Sequence, residues 1–467
     1  MVPFIDRFVE KSILDREYGR DGFSLVVVYG RRRIGKTRLL WEWCRDKLCV
    51  YFIASQIPYR ELCREFSIEV MGQTGIYVSS DDILSSIREL AGLGKKIVVV
   101  LDEFQYIVEM DPSFPSRLMK LIDTILGSSC LKLVLCGSSV SFFEKQLLGY
   151  RSPLFGRRIC QIRLGFLRLT EAHGFLDKLD PVDLLRAYSI VGGTPAYLSY
   201  VYGSSSLREV IYRVVSPGSP LVDEAYNLLR QEVREPRTYM SILYALSRGY
   251  NTSTEISRVT GVDPRNIDKY LEVLSEIDIV VKRRPLGFRK GSRIFFKDHY
   301  FRFWFKYIHT LRRQIELGYT DEVVDYLMDR IDEHTSQSFT QFIEDHLMEF
   351  NKLDILEARP VEYGPWWYKG YEIDLVIREP GRTTVFLEAK WSQGKLVDAV
   401  RELKSLEKKA RHTGLHSPLN KYIVFYRRIT DIDEPVYKVD EDRIIIDYTK
   451  IYPNLYRLVN KIQTPAQ

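Results

Sequence analysis

The sequence predicts an α/β protein of several domains: a parallel sheet wrapped by helices, a mostly helical middle, and a second, smaller α/β unit. Three observations lead there. Short apolar runs at Leu25–Tyr29, Val50–Ile53, Ile97–Leu101, Leu131–Cys136 and Ile159–Leu164 alternate with helix-length amphipathic stretches such as Thr37–Lys47, Ile83–Ala91 and Ser116–Gly127. Continuous apolar strands separated by helices belong to a parallel sheet buried on both faces. The length of 467 residues suggests about three domains. Apolar residues at 45% and charged residues at 28% fit a globular chain and exclude wholesale disorder.

Beyond residue 165 the pattern changes three times. From Thr170 to Gln231 it is mostly helical, punctuated at Gly192-Gly193-Thr194-Pro195 and Ser216–Pro220. Residues 238–297 read as three short helices and a basic β-like stretch, and a helical connector follows. The segment 338–467 reads helix, hairpin, helix, strand, strand. The expected divisions are 1–169, 170–235, 236–297, 298–335 and 336–467. The longest apolar runs, Ser24–Tyr29 and Ile97–Leu101, are too short to span a bilayer. Met1–Glu10 carries acids and no apolar core of leader length, so a cytoplasmic protein without membrane attachment is expected. Six cysteines at 44, 49, 63, 130, 136 and 160 include no C-x-x-C pair, which points to buried or free thiols. Lys+Arg 68 against Asp+Glu 62 gives +6, too mild to establish nucleic-acid binding.

The most specific motif is Gly30-Arg31-Arg32-Arg33-Ile34-Gly35-Lys36-Thr37, which follows an apolar strand and opens a helix. In this G-x-x-x-x-G-K-[ST] pattern the glycines let backbone N–H groups wrap phosphates at a helix N-terminus. Lys36 is expected on the β- and γ-phosphates of ATP, Thr37 on Mg²⁺, and Arg38 among the nucleotide contacts. The three loop arginines are expected to point mostly outward. Val98-Val99-Val100-Leu101-Asp102-Glu103 is an apolar strand ending in two acids. Asp102 suits Mg²⁺ and Glu103 suits orientation of an attacking water, which argues for hydrolysis as well as binding. Leu133–Ser139 is another strand with a small polar end; it places Ser138 or Ser139 near the γ-phosphate, or it is a plain turn. Arg157, in Leu154-Phe155-Gly156-Arg157-Arg158, is either a charge-stabilising arginine acting in a neighbouring subunit of a homo-oligomer or a surface residue.

With these motifs in hand, residues 1–235 resemble the archaeal AAA+-type ATPases of the STAND-related group. Phe4-Ile5-Asp6-Arg7-Phe8-Val9-Glu10 is similar to that group's N-terminal box, with Asp6 where relatives often have Gly. The resemblance implies that Arg7 lies near the nucleotide. It also implies that Gly193-Thr194-Pro195, similar to the group's G-x-P element, brings Pro195 to the nucleotide from a helical lid.

In the central module, Tyr239–Leu246 and Thr252–Val259 read as helices, with Ser253 or Thr254 capping the second. Pro264 starts a third, running to about Glu276, whose Ile267, Leu271 and Leu274 share a face. Strand-like Ile279-Val280-Val281 follows, giving a winged-helix order. Seven Lys/Arg (282, 283, 284, 289, 290, 293, 297) and no acid occupy Val281–Lys297. Such a wing either contacts DNA phosphates or packs domains together.

Near the C-terminus, Gly370–Ile377 and Thr384–Trp391 read as a hairpin about Glu379-Pro380-Gly381. Glu388 and Lys390, two apart on a strand, face one way, and the hairpin brings Asp374 near Glu388. Helical Phe342–Leu347 offers Glu344 to the same place. Carboxylates Asp374 and Glu388 could hold Mg²⁺ while Lys390 steadies developing charge. This D…E-x-K order resembles the PD-(D/E)xK, restriction-endonuclease-like nuclease superfamily, with Ile373 instead of Pro before Asp374. Ile294–Trp304 resembles the segment joining the two halves in archaeal ATPases that carry this domain. The resemblance implies a P-loop ATPase with helical lid, winged helix and nuclease-like domain, coupling ATP to DNA binding or cleavage. The alternatives are a regulatory ATPase switch and a transcription-type regulator with a silent nuclease fold.

Overall fold

Strands β1 (Ser24–Tyr29), β2 (Cys49–Ile53), β3 (Val98–Asp102), β4 (Lys132–Gly137) and β5 (Ile159–Arg163) form a parallel sheet in the order β2-β3-β4-β1-β5. Alternate side chains fill two cores, as a period of two requires. Leu25, Val27, Val99, Leu101, Leu133 and Leu135 pack with α3 (Tyr59–Thr74), α4 (Ile83–Gly92), α5 (Phe104–Met110) and α6 (Phe114–Thr124). Val26, Val28, Val98, Val100, Val134 and Cys136 pack with Leu14 of α1 (Phe8–Gly19) and with Leu39, Leu40 and Trp43 of α2 (Lys36–Cys44). Helix α3 was not among the stretches named from the sequence; it buries Leu62, Cys63, Phe66 and Val70. These coordinates come from a computed structural model that describes residues 4–463 apart from 6, 80, 81, 151 and 155–158.

The chain divides into two compact units, Met1–Phe166 with Thr194–Ala196, and Leu167–Gly193 with Tyr197–Gln467. In the second unit, helices Pro236–Ser247, Ser253–Thr260 and Pro264–Glu276 precede an antiparallel ribbon of β6 (Val280–Arg283) and β7 (Arg293–Phe296). The cap of the middle helix is Thr252, a correction to the expected Ser253 or Thr254. Its hydroxyl accepts from Glu255 N at 3.2 Å, and the Glu255 carboxylate accepts from Thr252 N at 3.1 Å. Thr252 has the extended backbone that an N-cap needs, whereas Ser253 is already helical.

The remaining strands are β8 (Glu362–Tyr368), β9 (Tyr371–Glu379), β10 (Thr383–Gly394), β11 (Leu419–Ile429), β12 (Val436–Lys438) and β13 (Arg443–Asp447). They form a mixed sheet in the order β12-β13-β11-β10-β9-β8, with β10, β11 and β13 parallel. Helix Leu396–Ala410 buries Ala399, Leu403 and Leu406 against Phe386, Val424 and Ile445. Phe339 and Phe342, on helix Ile331–Asp345, pack with Trp391, Phe425 and Tyr448. That helix runs unbroken through the boundary expected at 335/336. Strands β8 and β12 went unseen in the sequence; both are edge strands.

The β6–β7 ribbon packs on the mixed sheet. Leu286 N donates to Pro365 O at 2.9 Å, Phe288 stacks on Tyr368 at 5.4 Å, and Arg293 lies 4.6 Å over Trp367. Among the described residues, no helix is long and apolar enough to cross a membrane.

The capping geometry carries a test. Thr252→Ala should remove about 1 kcal/mol from the middle helix and speed its amide exchange roughly fivefold, with Ser253→Ala nearly silent. Hydrogen-exchange mass spectrometry over residues 250–262 reads both.

Candidate functional site

Parallel pairing of β1 with β4, and of β4 with β3, brings Gly30, Gly137-Ser138 and Asp102-Glu103 to the same end of the sheet. Gly30 has φ 155°, and a Cβ there would lie 2.5 Å from Leu164 O, so the loop can leave β1 only through glycine. Gly35 (φ 90°) turns the chain into α2, and Pro195 Cγ would sit 3.5 Å from a Cβ on it. Lys36 is buried, and its Nζ donates to Gly30 O at 2.9 Å and Arg31 O at 3.1 Å. The ammonium is therefore already inside the loop that would surround a phosphate.

Thr37 Oγ1 donates to Asp102 Oδ2 at 2.8 Å, joining the two motifs. Tyr51, which the sequence reading missed, donates to the same oxygen at 2.7 Å, and Glu103 N donates to Oδ1 at 2.9 Å. Burial and the Asp102 charge push the Tyr51 hydroxyl well above its ordinary range, so it acts as a donor. A hydroxyl and a carboxylate side by side are hard oxygen donors that fit Mg²⁺. Glu103 sits at φ 52° where β3 turns into α5. Ser138 Oγ donates to its carboxylate at 2.9 Å, and Gln105 Nε2 also bonds it. The expected place of Ser138 beside the acidic strand is thus a direct contact with Glu103.

Among the loop arginines, expected to point mostly outward, Arg31 is the exception. It is 2% exposed, donates to Thr194 Oγ1 at 3.1 Å and lies 4.9 Å over the Phe166 ring. Arg33 and Arg38 are exposed, while Arg32 donates to Tyr106 OH at 3.0 Å. Arg7 is buried and braces the loop from behind, donating to Ile34 O at 3.1 Å and Gly165 O at 2.7 Å. Arg157 and Asp6 lie outside the described residues.

Residues 4–201 match an ATPase domain described as predominantly from Archaea. Residues 304–412 match a second family, described as archaeal and bacterial proteins of unknown function. An uncharacterised protein of Methanocaldococcus jannaschii is 27% identical over 432 residues, 91% of this chain and 96% of that one. An uncharacterised ATP-binding protein of the same organism is 36% identical over 47 residues, 10% of this chain and 80% of its own length. A Walker-type ATPase of Pyrococcus abyssi is similar in structure, with TM-score 0.49 and 19% identity over 65% of this chain and 96% of that one.

In the second unit, Asp374 and Glu388 come from neighbouring antiparallel strands, and Asp374 Oδ2 accepts from Ala389 N at 2.9 Å. Lys390 Nζ lies 3.6 Å from Glu388 and 3.3 Å from Glu402. Lys409 Nζ donates to Glu388 at 2.8 Å. Glu402 and Lys409, seven apart on helix Leu396–Ala410, were missed because nothing in the sequence shows which face covers β10. Glu344 lines the same cavity as Asp374, and Arg283 Nη1 donates to its two oxygens at 2.7 and 2.6 Å. Among the described residues no group of three or more His, Cys, Asp or Glu side chains could hold a metal ion. The expected Asp374/Glu388 pair is present, with both oxygens of Glu388 facing lysines.

The basic ribbon is largely paired as well. Lys282 meets Asp268 at 2.9 Å, Arg283 meets Glu344, Arg293 meets Glu372 at 2.7 Å, and Lys297 meets Asp278 at 2.6 Å. Arg284, Arg289 and Lys290 are exposed. Four of its seven basic residues are thus engaged within the unit, and three face outward.

Burial, and next the Asp374 charge, raise Glu388 from 4.5 to about 7 against the pull of Lys409 and Lys390. Since the folded value exceeds the unfolded one, ionising Glu388 costs stability, which is lost as pH rises from 4.5 to about 7. In ¹³C-glutamate-labelled protein, a carboxyl resonance absent from Glu388→Gln should titrate near pH 7. Asp374→Asn should lower that midpoint and Lys409→Met should raise it.

Proposed function

We propose that the protein binds and hydrolyses ATP with Mg²⁺ and couples nucleotide state to DNA binding by its C-terminal region. The Thr37–Asp102 contact of 2.8 Å carries the first part, because it sets a hydroxyl and a carboxylate at the mouth of a closed phosphate loop. Thr37 and Asp102 would hold Mg²⁺, which supplies charge neutralisation on the phosphate oxygens. Lys36 adds a fixed positive charge within the loop, and its glycines let backbone N–H groups reach the phosphates. Glu103 orients water and accepts its proton, steadied by Ser138. Arg31 and Pro195 lie against the loop and make its shape depend on residues 194–196.

For the C-terminal region, the winged-helix order and the Asp374/Glu388/Lys390 grouping support DNA contact through exposed Arg284, Arg289 and Lys290. A second reading is a regulatory switch with a silent nuclease-like fold. The occupation of Glu344 by Arg283 and of Glu388 by Lys409 favours it, since both contacts must open before these carboxylates take a metal.

Glu103→Gln should keep ATP binding and lower turnover by about 100-fold or more. Equilibrium binding and phosphate release measure the two; an undiminished rate removes Glu103 from the mechanism. For the second unit, linear, nicked and single-stranded DNA with Mg²⁺ or Mn²⁺, with and without ATP, separates the readings. Cleavage lost in Asp374→Ala supports a nuclease, and no cleavage alongside persistent ATP turnover supports the switch.

A further inference from the structure

A cavity of about 440 Å³ opens in the second unit between the β6–β7 ribbon, helix Ile331–Asp345 and strands β8 and β9. Its walls carry Arg283, Arg293, Lys297 and Arg302. The first three face carboxylates: Glu344, Glu372 and Asp278 respectively. Arg302 is different. It is 8% exposed, and its guanidinium bonds Gln337 Oε1 at 3.2 Å, His334 O at 3.2 Å and Ser338 Oγ, all uncharged. Its Nε has no partner among the described residues. The neighbouring imidazoles supply no negative charge. His299 Nδ1 meets Ser338 Oγ at 2.9 Å and His334 Nε2 meets Ser189 O at 2.9 Å, while burial and Arg302 hold both rings well below their usual pKa.

A guanidinium buried among neutral groups is expensive unless something brings a counter-charge. The pressure shows in Arg302 itself, which burial pushes down to about 10. The acidic groups of the cavity do not serve it. Glu344 and Glu372 are neutralised by their own arginines. Burial, then Glu344, raise Asp345 to about 7, and Asp374, the fourth acid on the wall, accepts from Ala389 N. The unpartnered Nε of Arg302 is a charged donor suited to a phosphate oxygen, and Gln337, Thr340 and Gln341 on helix Ile331–Asp345 add neutral donors to the wall. The volume lies in the range of small-ligand pockets.

We propose that this cavity is an anion site in which Arg302 seats a phosphate group. Inorganic phosphate and a terminal phosphate of a nucleic-acid strand share that chemistry. Asp374 lines the same cavity, so the site adjoins the grouping proposed above for DNA contact, and a binding readout separates it from ATP turnover and from cleavage.

The test uses the full chain carrying Lys36→Ala, which silences the phosphate loop. The probes are inorganic phosphate and a short oligodeoxynucleotide with and without a 5′-phosphate, read by thermal melting and by anisotropy. At least one probe should raise the melting midpoint, and adding Arg302→Gln should weaken that probe by about tenfold or more. A shift with inorganic phosphate assigns the free ion. A shift that needs the 5′-phosphorylated strand assigns the nucleic-acid end. Gln337→Glu would give Arg302 a carboxylate of its own, so it should raise the midpoint in anion-free buffer and abolish the response to every probe. That variant decides the matter if Arg302→Gln does not fold. Equal shifts with and without Arg302, no shift with any probe, or an undiminished response in Gln337→Glu would each overturn the site.

Discussion

The nucleotide-binding end depends on one constraint: a parallel sheet buried on both faces has room for chemistry only where its strands stop. Strands β1, β3 and β4 are buried along their whole length, and the phosphate loop, Asp102-Glu103 and Ser138 all lie at their C-terminal ends. Because β4 lies between β1 and β3, Ser138 reaches Glu103, and Thr37 at the start of α2 reaches Asp102. Tyr51 joins from the adjoining edge strand, where Ile53 pairs with Asp102. The tight exit at Gly30, with Leu164 O behind it, follows from packing β5 directly against β1.

Much of this was legible in the sequence because it is local. Five apolar runs gave five strands, and a loop with fixed spacing between a strand and a helix announces its own geometry. The burial of Arg31 was not legible, because a charged side chain in a loop is expected in water unless a partner is known. Its partners, Thr194 and Phe166, lie far along the chain. The same holds for Tyr51 and Gln105, whose roles exist only once strand order is fixed.

In the second unit the balance reverses. The hairpin and the Asp374/Glu388/Lys390 grouping could be read from alternation alone. The neutralisation of that grouping could not. Lys409 reaches Glu388 from a helix covering β10, and Arg283 reaches the nearby Glu344 from a ribbon whose sequence leaves it free to face either DNA or protein. A run of seven basic residues looked like a surface for phosphates, yet four of them meet carboxylates within the same unit. Charge composition describes supply; only the fold shows where it is consumed.

The helix Ile331–Asp345 also governs how the chain can be taken apart. Asp332 in its first turn accepts from Arg186, Trp391 and Arg427, and these bonds, working against burial, hold its carboxyl at about 2. Gln337 and Ser338 hold Arg302 in its middle, and Glu344 meets Arg283 near its end. A single inserted residue would rotate everything downstream by about 100°, since a turn holds 3.6 residues. A fragment begun at 336, where composition suggested a domain edge, would leave Asp332 behind and strand Arg427 and Trp391 without it. The smallest piece of this unit fit for separate study therefore begins upstream of residue 331, with the whole helix kept.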